Sequence, residues 1–207
     1  MDNKIVYIID DDHSVREALV DLLSSVDIQT ETFENVETFV KADKPLSVSC
    51  LVLDVRMPGQ SGMDFHHHMQ NIGLDIPVIF ITGHGDIPMS VTAIKRGAVD
   101  FLTKPFREQD ILEAIHRALE ISHDRITQRA YNERIDKKYS VLNLGEKAVM
   151  ALLIKGYLNK QIAAELNVSE ITVKVRRSNI MQKMKAKSFA DLIRMGIELE
   201  KRDCDSK

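Results

Sequence analysis

Two short apolar runs that end in acid constrain this chain more than any other feature. Ile5-Val6-Tyr7-Ile8-Ile9 leads into Asp10-Asp11-Asp12, and Leu51-Val52-Leu53 leads into Asp54. Short continuous apolar runs read as strands buried on both faces of a parallel sheet. Such sheets gather their functional groups beyond the C-terminal strand ends. Carboxylates from both runs would therefore meet on one edge. Clustered carboxylates repel one another unless a cation lies among them. A hard ion such as Mg²⁺ accepts few protein carboxylates and completes its shell with water and phosphate oxygens. The pattern points to chemistry on a phosphoryl group.

Two more runs extend the same edge. Val78-Ile79-Phe80-Ile81 ends in Thr82, and Val99-Asp100-Phe101-Leu102-Thr103 ends in Lys104-Pro105. A hydroxyl and an ammonium would then face the carboxylates. Strands are expected near 4–9, 29–33, 49–54, 77–81 and 99–102. Helices are expected near 14–25, 35–42, 62–72, 87–96 and 107–121. This alternation predicts a doubly wound, five-stranded parallel α/β sheet. Ser14-Val15-Arg16-Glu17 has capping-box spacing for the first helix, and Asp12 reads as a turn or capping residue.

The chain has 207 residues, enough for two domains. Its net charge of −3 averages two opposites. Residues 1–120 carry 10 Lys and Arg against 20 Asp and Glu, whereas residues 121–207 carry 18 against 11. The basic second part suits a polyanion; the acidic first part does not. Two cysteines, Cys50 and Cys204, form neither a disulfide framework nor a zinc site. No secretory leader and no long apolar span is apparent, so a cytoplasmic protein away from membranes is expected.

Residues 122–140 are polar and contain no Gly or Pro, so a helical linker is expected there. Ile121, Ile126, Tyr131 and Ile135 give it a sparse apolar stripe compatible with a coiled-coil dimer. Beyond 141 only helical patterns occur, near 144–155, 159–166, 170–184 and 188–200. Leu158 to Lys174 reads as a helix, a tight Asn167-Val168 turn and a second helix capped by Ser169. Val173, Ile180 and Met184 line the inner face of that second helix. Lys174, Arg176, Arg177, Ser178 and Gln182 are left mostly outward.

The first part closely resembles the receiver domain of two-component response regulators, over residues 3 to about 120. The resemblance rests on Asp10-Asp11, Asp54, Met57-Pro58-Gly59, Thr82, Phe101 and Lys104-Pro105-Phe106. The stretches Ile81 to Met89 and Gly97 to Phe101 are similar to the FixJ-like branch. It implies a phosphoacceptor at Asp54. It also implies an Mg²⁺ or Mn²⁺ site from Asp10, Asp11, Asp54 and the Arg56 backbone carbonyl. Lys104 and Thr82 would meet phosphate oxygens, and Phe101 would fill the space Thr82 leaves. A phosphatase reading needs an acid two residues after the nucleophile, where Arg56 stands. His66-His67-His68 cannot share one ion, because consecutive helical residues point about 100° apart.

The second part, about 142–200, resembles the LuxR-type four-helix DNA-binding domain. The signature is Asn159 to Ala163, Thr172-Val173-Lys174 and Asn179 to Met184. The resemblance implies base or groove contacts from Lys174, Val175, Arg177 and Ser178, and includes Thr172 and Arg176 among the DNA-binding residues. Phosphate contacts are implied for Lys160, Lys183, Lys185 and Lys187. Gly145 and Ala148 stand where the family carries charged partners, and Arg176 where His is common, so internal ion pairs are expected to be lost. The whole chain is expected to have a receiver at 1–121, a helical linker at 122–140 and a DNA-binding domain at 141–207. The implied partners are a sensor histidine kinase, promoter DNA, RNA polymerase and, after phosphorylation, a second copy of the chain. The implied outcome is regulated transcription, with activation favoured. Phosphate-independent DNA binding and a phosphoryl sink in a relay stand as alternatives. Turnover of a metabolite is not expected.

Overall fold

The computed structural model describes residues 4–45, 47–85 and 87–205. The chain divides into two compact units, one up to Ile126 and one from Thr127.

In the first unit, strands β1 (Lys4–Ile9), β2 (Gln29–Phe33), β3 (Val48–Asp54), β4 (Val78–Thr82) and β5 (Asp100–Thr103) form one parallel sheet in the order β2-β1-β3-β4-β5. Helices α1 (His13–Ser24), α2 (Val36–Lys41), α3 (Gly62–Met69), α4 (Ile87–Lys95) and the part of α5 (Glu108–Ser140) up to Ile126 complete it. Alternate strand residues enter opposite faces. Val6, Ile8, Val52, Ile79 and Ile81 pack with Leu19 and Leu23 of α1 and with Ile111 and Ile115 of α5. Tyr7, Ile9, Leu51, Leu53 and Phe80 pack on the other face with Phe39, Phe65 and Ala93 of α2, α3 and α4. Strand order reverses at β1 and β3, where doubly wound sheets place their sites. Ile9 pairs with Leu53, so Asp10, just past β1, and Asp54, the last residue of β3, come out side by side.

The first helix differs from the capping expectation. Asp12, not Ser14, is its N-cap and accepts from the Ser14 N–H at 2.8 Å. Asp12 is extended and leaves a carboxylate oxygen one turn ahead of the orphan amides, whereas Ser14 already has helical neighbours.

Residues 122–140 lie within helix α5. Helix α5 runs unbroken for 33 residues. Ile126 packs in the first unit's core, and Ile135 is fully buried in the second unit's core with Tyr131 and Tyr139 against it. Of the apolar stripe, Ile126, Tyr131 and Ile135 pack in the cores of the two units, and Ile121 is exposed.

The second unit adds α6 (Leu144–Ile154), α7 (Asn159–Glu165), α8 (Glu170–Met184) and α9 (Phe189–Asp205). Its core contains Leu142, Val149, Leu153, Ile162, Val173, Ile180, Met184 and Leu192. Asn143 and Glu146 form a full capping box at α6. The α7–α8 turn uses Asn167 at φ 50°, a left-handed conformation Asn tolerates, and Ser169 caps α8. Among the described residues no helix is long and apolar enough to cross a membrane. Cys50 is a buried free thiol; the side chain of Cys204 lies outside the described residues.

Candidate metal centre and nucleic-acid interface

The acidic edge assembles as its strand ends dictate. Asp10 is fully buried and Asp54 is 6% exposed. Ligand oxygens of Asp10, Asp11 and Asp54 all lie within 4.8 Å of one another. Lys104, beyond β5, reaches across: its Nζ donates to Asp10 Oδ2 at 2.6 Å and stands 3.7 Å from Asp54 Oδ1. That Asp54 oxygen is buried and has no hydrogen-bond partner among the described residues. Three carboxylates against one ammonium leave a negative excess. An oxygen-rich, acidic pocket with an unpartnered oxygen fits a small hard divalent cation.

Burial, opposed by Lys104 and aided by Asp10, pushes the Asp54 carboxyl up to about 6. At neutral pH it is still mostly ionised and able to act as a nucleophile. Backbone contact secures its position. The Gly62 N–H donates to Val55 O at 3.1 Å, and a Cβ on Gly62 would fall 2.2 Å from the Asp54 carbonyl oxygen. Arg56, two residues past the end of β3, is exposed.

Thr82 and Phe101 stand next to this cluster. The Thr82 hydroxyl is fully buried and turned to the loop backbone, accepting from the His84 N–H at 3.2 Å. Phe101 is half-buried, its ring 6.3 Å from that of Phe80. Gly85 makes room for this arrangement: a Cβ there would lie 2.8 Å from Phe101 and 3.1 Å from the Thr82 methyl. The sequence reading singled out neither Gly62 nor Gly85, because a glycine's steric role depends on what approaches it. Among the three histidines of α3, His66 sets its ring edge-on to Phe80, and His67 and His68 are exposed.

Helix α8 sorts its polar residues more finely than periodicity did. Lys174, Val175 and Ser178 are exposed along one face, together with Gln182. Ile171 joins them at 74% exposure. It was missed because an apolar residue beside Val173 reads as core. Thr172 is half-buried and its hydroxyl meets Ser169 Oγ at 2.9 Å. Lys160, Lys185 and Lys187 are exposed.

Three cations expected outward are turned in. Arg177 donates to Asn159 Oδ1 at 3.2 Å and stacks on Phe189 at 3.9 Å. Lys183 Nζ meets both Glu146 carboxylate oxygens, at 2.9 and 2.7 Å. The Arg176 guanidinium lies over Gly145. Burial would raise the Glu146 carboxyl, but Lys183, the Asn143 N–H and Arg176 together hold it below its ordinary value. The internal ion pairing expected to be lost with the residue at 145 is therefore made from α8 instead.

The comparisons agree with this geometry at both ends of the chain. Residues 6–116 match the response regulator receiver domain, and residues 140–196 match the luxR family of bacterial regulatory proteins. The chain is 46% identical over 191 residues to the response regulator protein TodT of Pseudomonas putida, covering 92% of this chain and 84% of TodT. It is 40% identical over 192 residues to the transcriptional regulatory protein FixJ of Azorhizobium caulinodans, covering 93% and 91%. Among solved structures, the response regulator StyR superposes with a TM-score of 0.81 at 44% identity, covering 95% of this chain and 99% of that one. With its receiver sheet, acidic edge and LuxR-type helical unit, the chain belongs to the FixJ-like two-component response regulators, which regulate transcription.

Proposed function

We propose that Asp54 takes a phosphoryl group from a sensor histidine kinase and that this controls DNA binding by the second unit. The observation that carries the proposal is the convergence of Asp10, Asp11 and Asp54 within 4.8 Å on a strand edge that Lys104 spans. Asp10, Asp11, Asp54 and the Arg56 carbonyl would hold Mg²⁺ or Mn²⁺. Bound there, the ion would supply positive charge to offset that on the transferring phosphoryl oxygens.

This chain's own groups do the rest. An Asp54 carboxylate oxygen attacks phosphorus in line, an O–P bond forms, and the bond to the donor's leaving group breaks. Lys104 gives up part of its contact with Asp10 to meet a phosphoryl oxygen. The new group adds about −1.5 to −2 charges and three acceptor oxygens. The Thr82 hydroxyl, which donates to the His84 carbonyl at 3.4 Å, turns to donate to one of those oxygens instead, and Phe101 moves into the space it leaves. The population shifts because phosphate prefers the second arrangement. Catalysis is confined to the chain's own phosphorylation and dephosphorylation.

The labour divides into a receiver at 1–121, a helical connection at 122–140 and a DNA-binding part at 141–207. Ile87, Val91 and Ile94 form an exposed apolar stripe on α4 at helical spacing, and this surface is assigned to pairing of two phosphorylated copies. Paired chains place two recognition helices on half-sites of one promoter and raise the effective concentration of the second. The reading assigns the chain to the cytoplasm, with RNA polymerase as the final partner and activation as the outcome.

The test compares the parent and Asp54→Ala, each with Mg²⁺ and a small acyl-phosphate donor, against a selected pool of duplexes. A phosphoryl mass gain in the parent alone, with dimerisation and tighter specific binding, supports the proposal. Equal DNA binding by both proteins with and without donor would overturn phosphate control.

A further inference from the structure

We propose that Arg176 is not a DNA contact but a positioning residue, which fills the space left by Gly145 and, with Lys183, locks the recognition helix α8 onto α6 through Glu146. The proposal rests on the DNA-binding reading of the second unit and deepens it.

Its geometry is specific. A Cβ built on Gly145 would lie 2.8 Å from Arg176 Cζ, 3.0 Å from Nη1 and 3.1 Å from Nη2. Three atoms of one planar group at nearly equal distance from a single point mean that the guanidinium lies face-on against the first turn of α6. No side chain larger than hydrogen fits beneath it unmoved. Glycine weakens a helix interior, so its presence in the first turn calls for a steric reason, and the arginine supplies one.

The partner is the neighbouring Glu146, only 1% exposed. A carboxylate so far from water needs donors and opposite charge. It accepts from the Asn143 N–H at 2.9 Å and from Lys183 Nζ, and the Arg176 charge further favours its ionised form. Both cations come from α8, one near its middle and one near its end. They fix the helix in rotation and in height against α6.

The cost of leaving argues the same way. For Arg176 to reach a groove, its guanidinium must leave the turn it packs against at Gly145 and take its charge away from the buried Glu146. Lys174, Val175 and Ser178 are exposed already and need no such rearrangement. The reading face is then Ile171, Lys174, Val175 and Ser178. Arg176 and Lys183 act on DNA only by setting where that face points.

Two measurements on the full chain test this. The first is the salt dependence of binding to a selected duplex. Losing a phosphate-contacting cation lowers the slope of log K against log salt by about one. Lys174→Gln is expected to lower it so, and Arg176→Gln to weaken binding with the slope unchanged. The second is a thermal-unfolding cycle. Gly145→Ala is expected to raise the melting temperature in an Arg176→Ala background, where helix propensity acts alone, and to lower it or leave it flat in the parent, where it displaces the guanidinium. A slope reduced by about one in Arg176→Gln, or an equal Gly145→Ala shift in both backgrounds, would overturn the proposal. If the parent binds no duplex, the DNA-binding reading fails, and the unfolding cycle still decides whether Arg176 packs on Gly145.

Discussion

Replacing Asp54 with Asn should stabilise the metal-free protein at neutral pH, although it removes the phosphoacceptor. Burial and the neighbouring acids raise the Asp54 carboxyl from 3.8 to about 6, against the pull of Lys104. An acid whose pKa rises on folding keeps its proton in the folded state where the unfolded chain has lost it. This group therefore costs nothing below the unfolded value. Its penalty grows as pH climbs from 3.8 to about 6 and is constant above that. A rise of about 2 pH units at 1.36 kcal/mol each gives roughly 3 kcal/mol at neutral pH. Asn keeps the shape and one acceptor oxygen without the charge, so the variant should gain about that much, or roughly 10 °C in melting temperature for a domain of this size. Urea titration in chelator, followed by hydrogen exchange of β3 peptides, reads the first unit by itself. The advantage should be absent near pH 4 and complete near pH 7. Millimolar Mg²⁺ should narrow it by binding the folded parent. A variant no more stable than the parent at neutral pH, or equally advantaged near pH 4, would refute the electrostatic reasoning.

Three other substitutions probe the same site. Gly62→Ala sets a methyl 2.2 Å from the Asp54 carbonyl oxygen and should cost more than about 2 kcal/mol, with loss of the phosphoryl mass gain; a parent-like mass spectrum would contradict it. Lys104→Gln strips the buried Asp10 of its cation and should cost roughly 3 kcal/mol in chelator, with part recovered on adding Mg²⁺, as read by calorimetry. Gly85→Ala crowds Phe101 and the Thr82 methyl, and should raise the dimer fraction of the unphosphorylated protein in sedimentation; a monomer indistinguishable from the parent would mean the ring has room elsewhere.

The sequence alone determined the sheet, its order of elements and the acidic edge. β1, β3 and β4 are apolar runs and each functional group stands at or just past a strand end, so local pattern and site position coincide at Asp10, Asp54, Thr82 and Lys104. The split in charge and the Asn167 turn with its Ser169 cap were legible for the same reason, being local. Only the tertiary structure decided which way the long cations of α8 turn. Helical period separates faces but not the fate of a flexible side chain at a face's margin. That depends on partners remote in sequence: Asn159 for Arg177, Glu146 for Lys183 and an absent side chain at Gly145 for Arg176. Likewise, no local pattern revealed that the Thr82 hydroxyl is held by the His84 backbone, or that burial among acids raises the Asp54 carboxyl. Electrostatics and close packing are sums over neighbours, and only the folded chain brings those neighbours together.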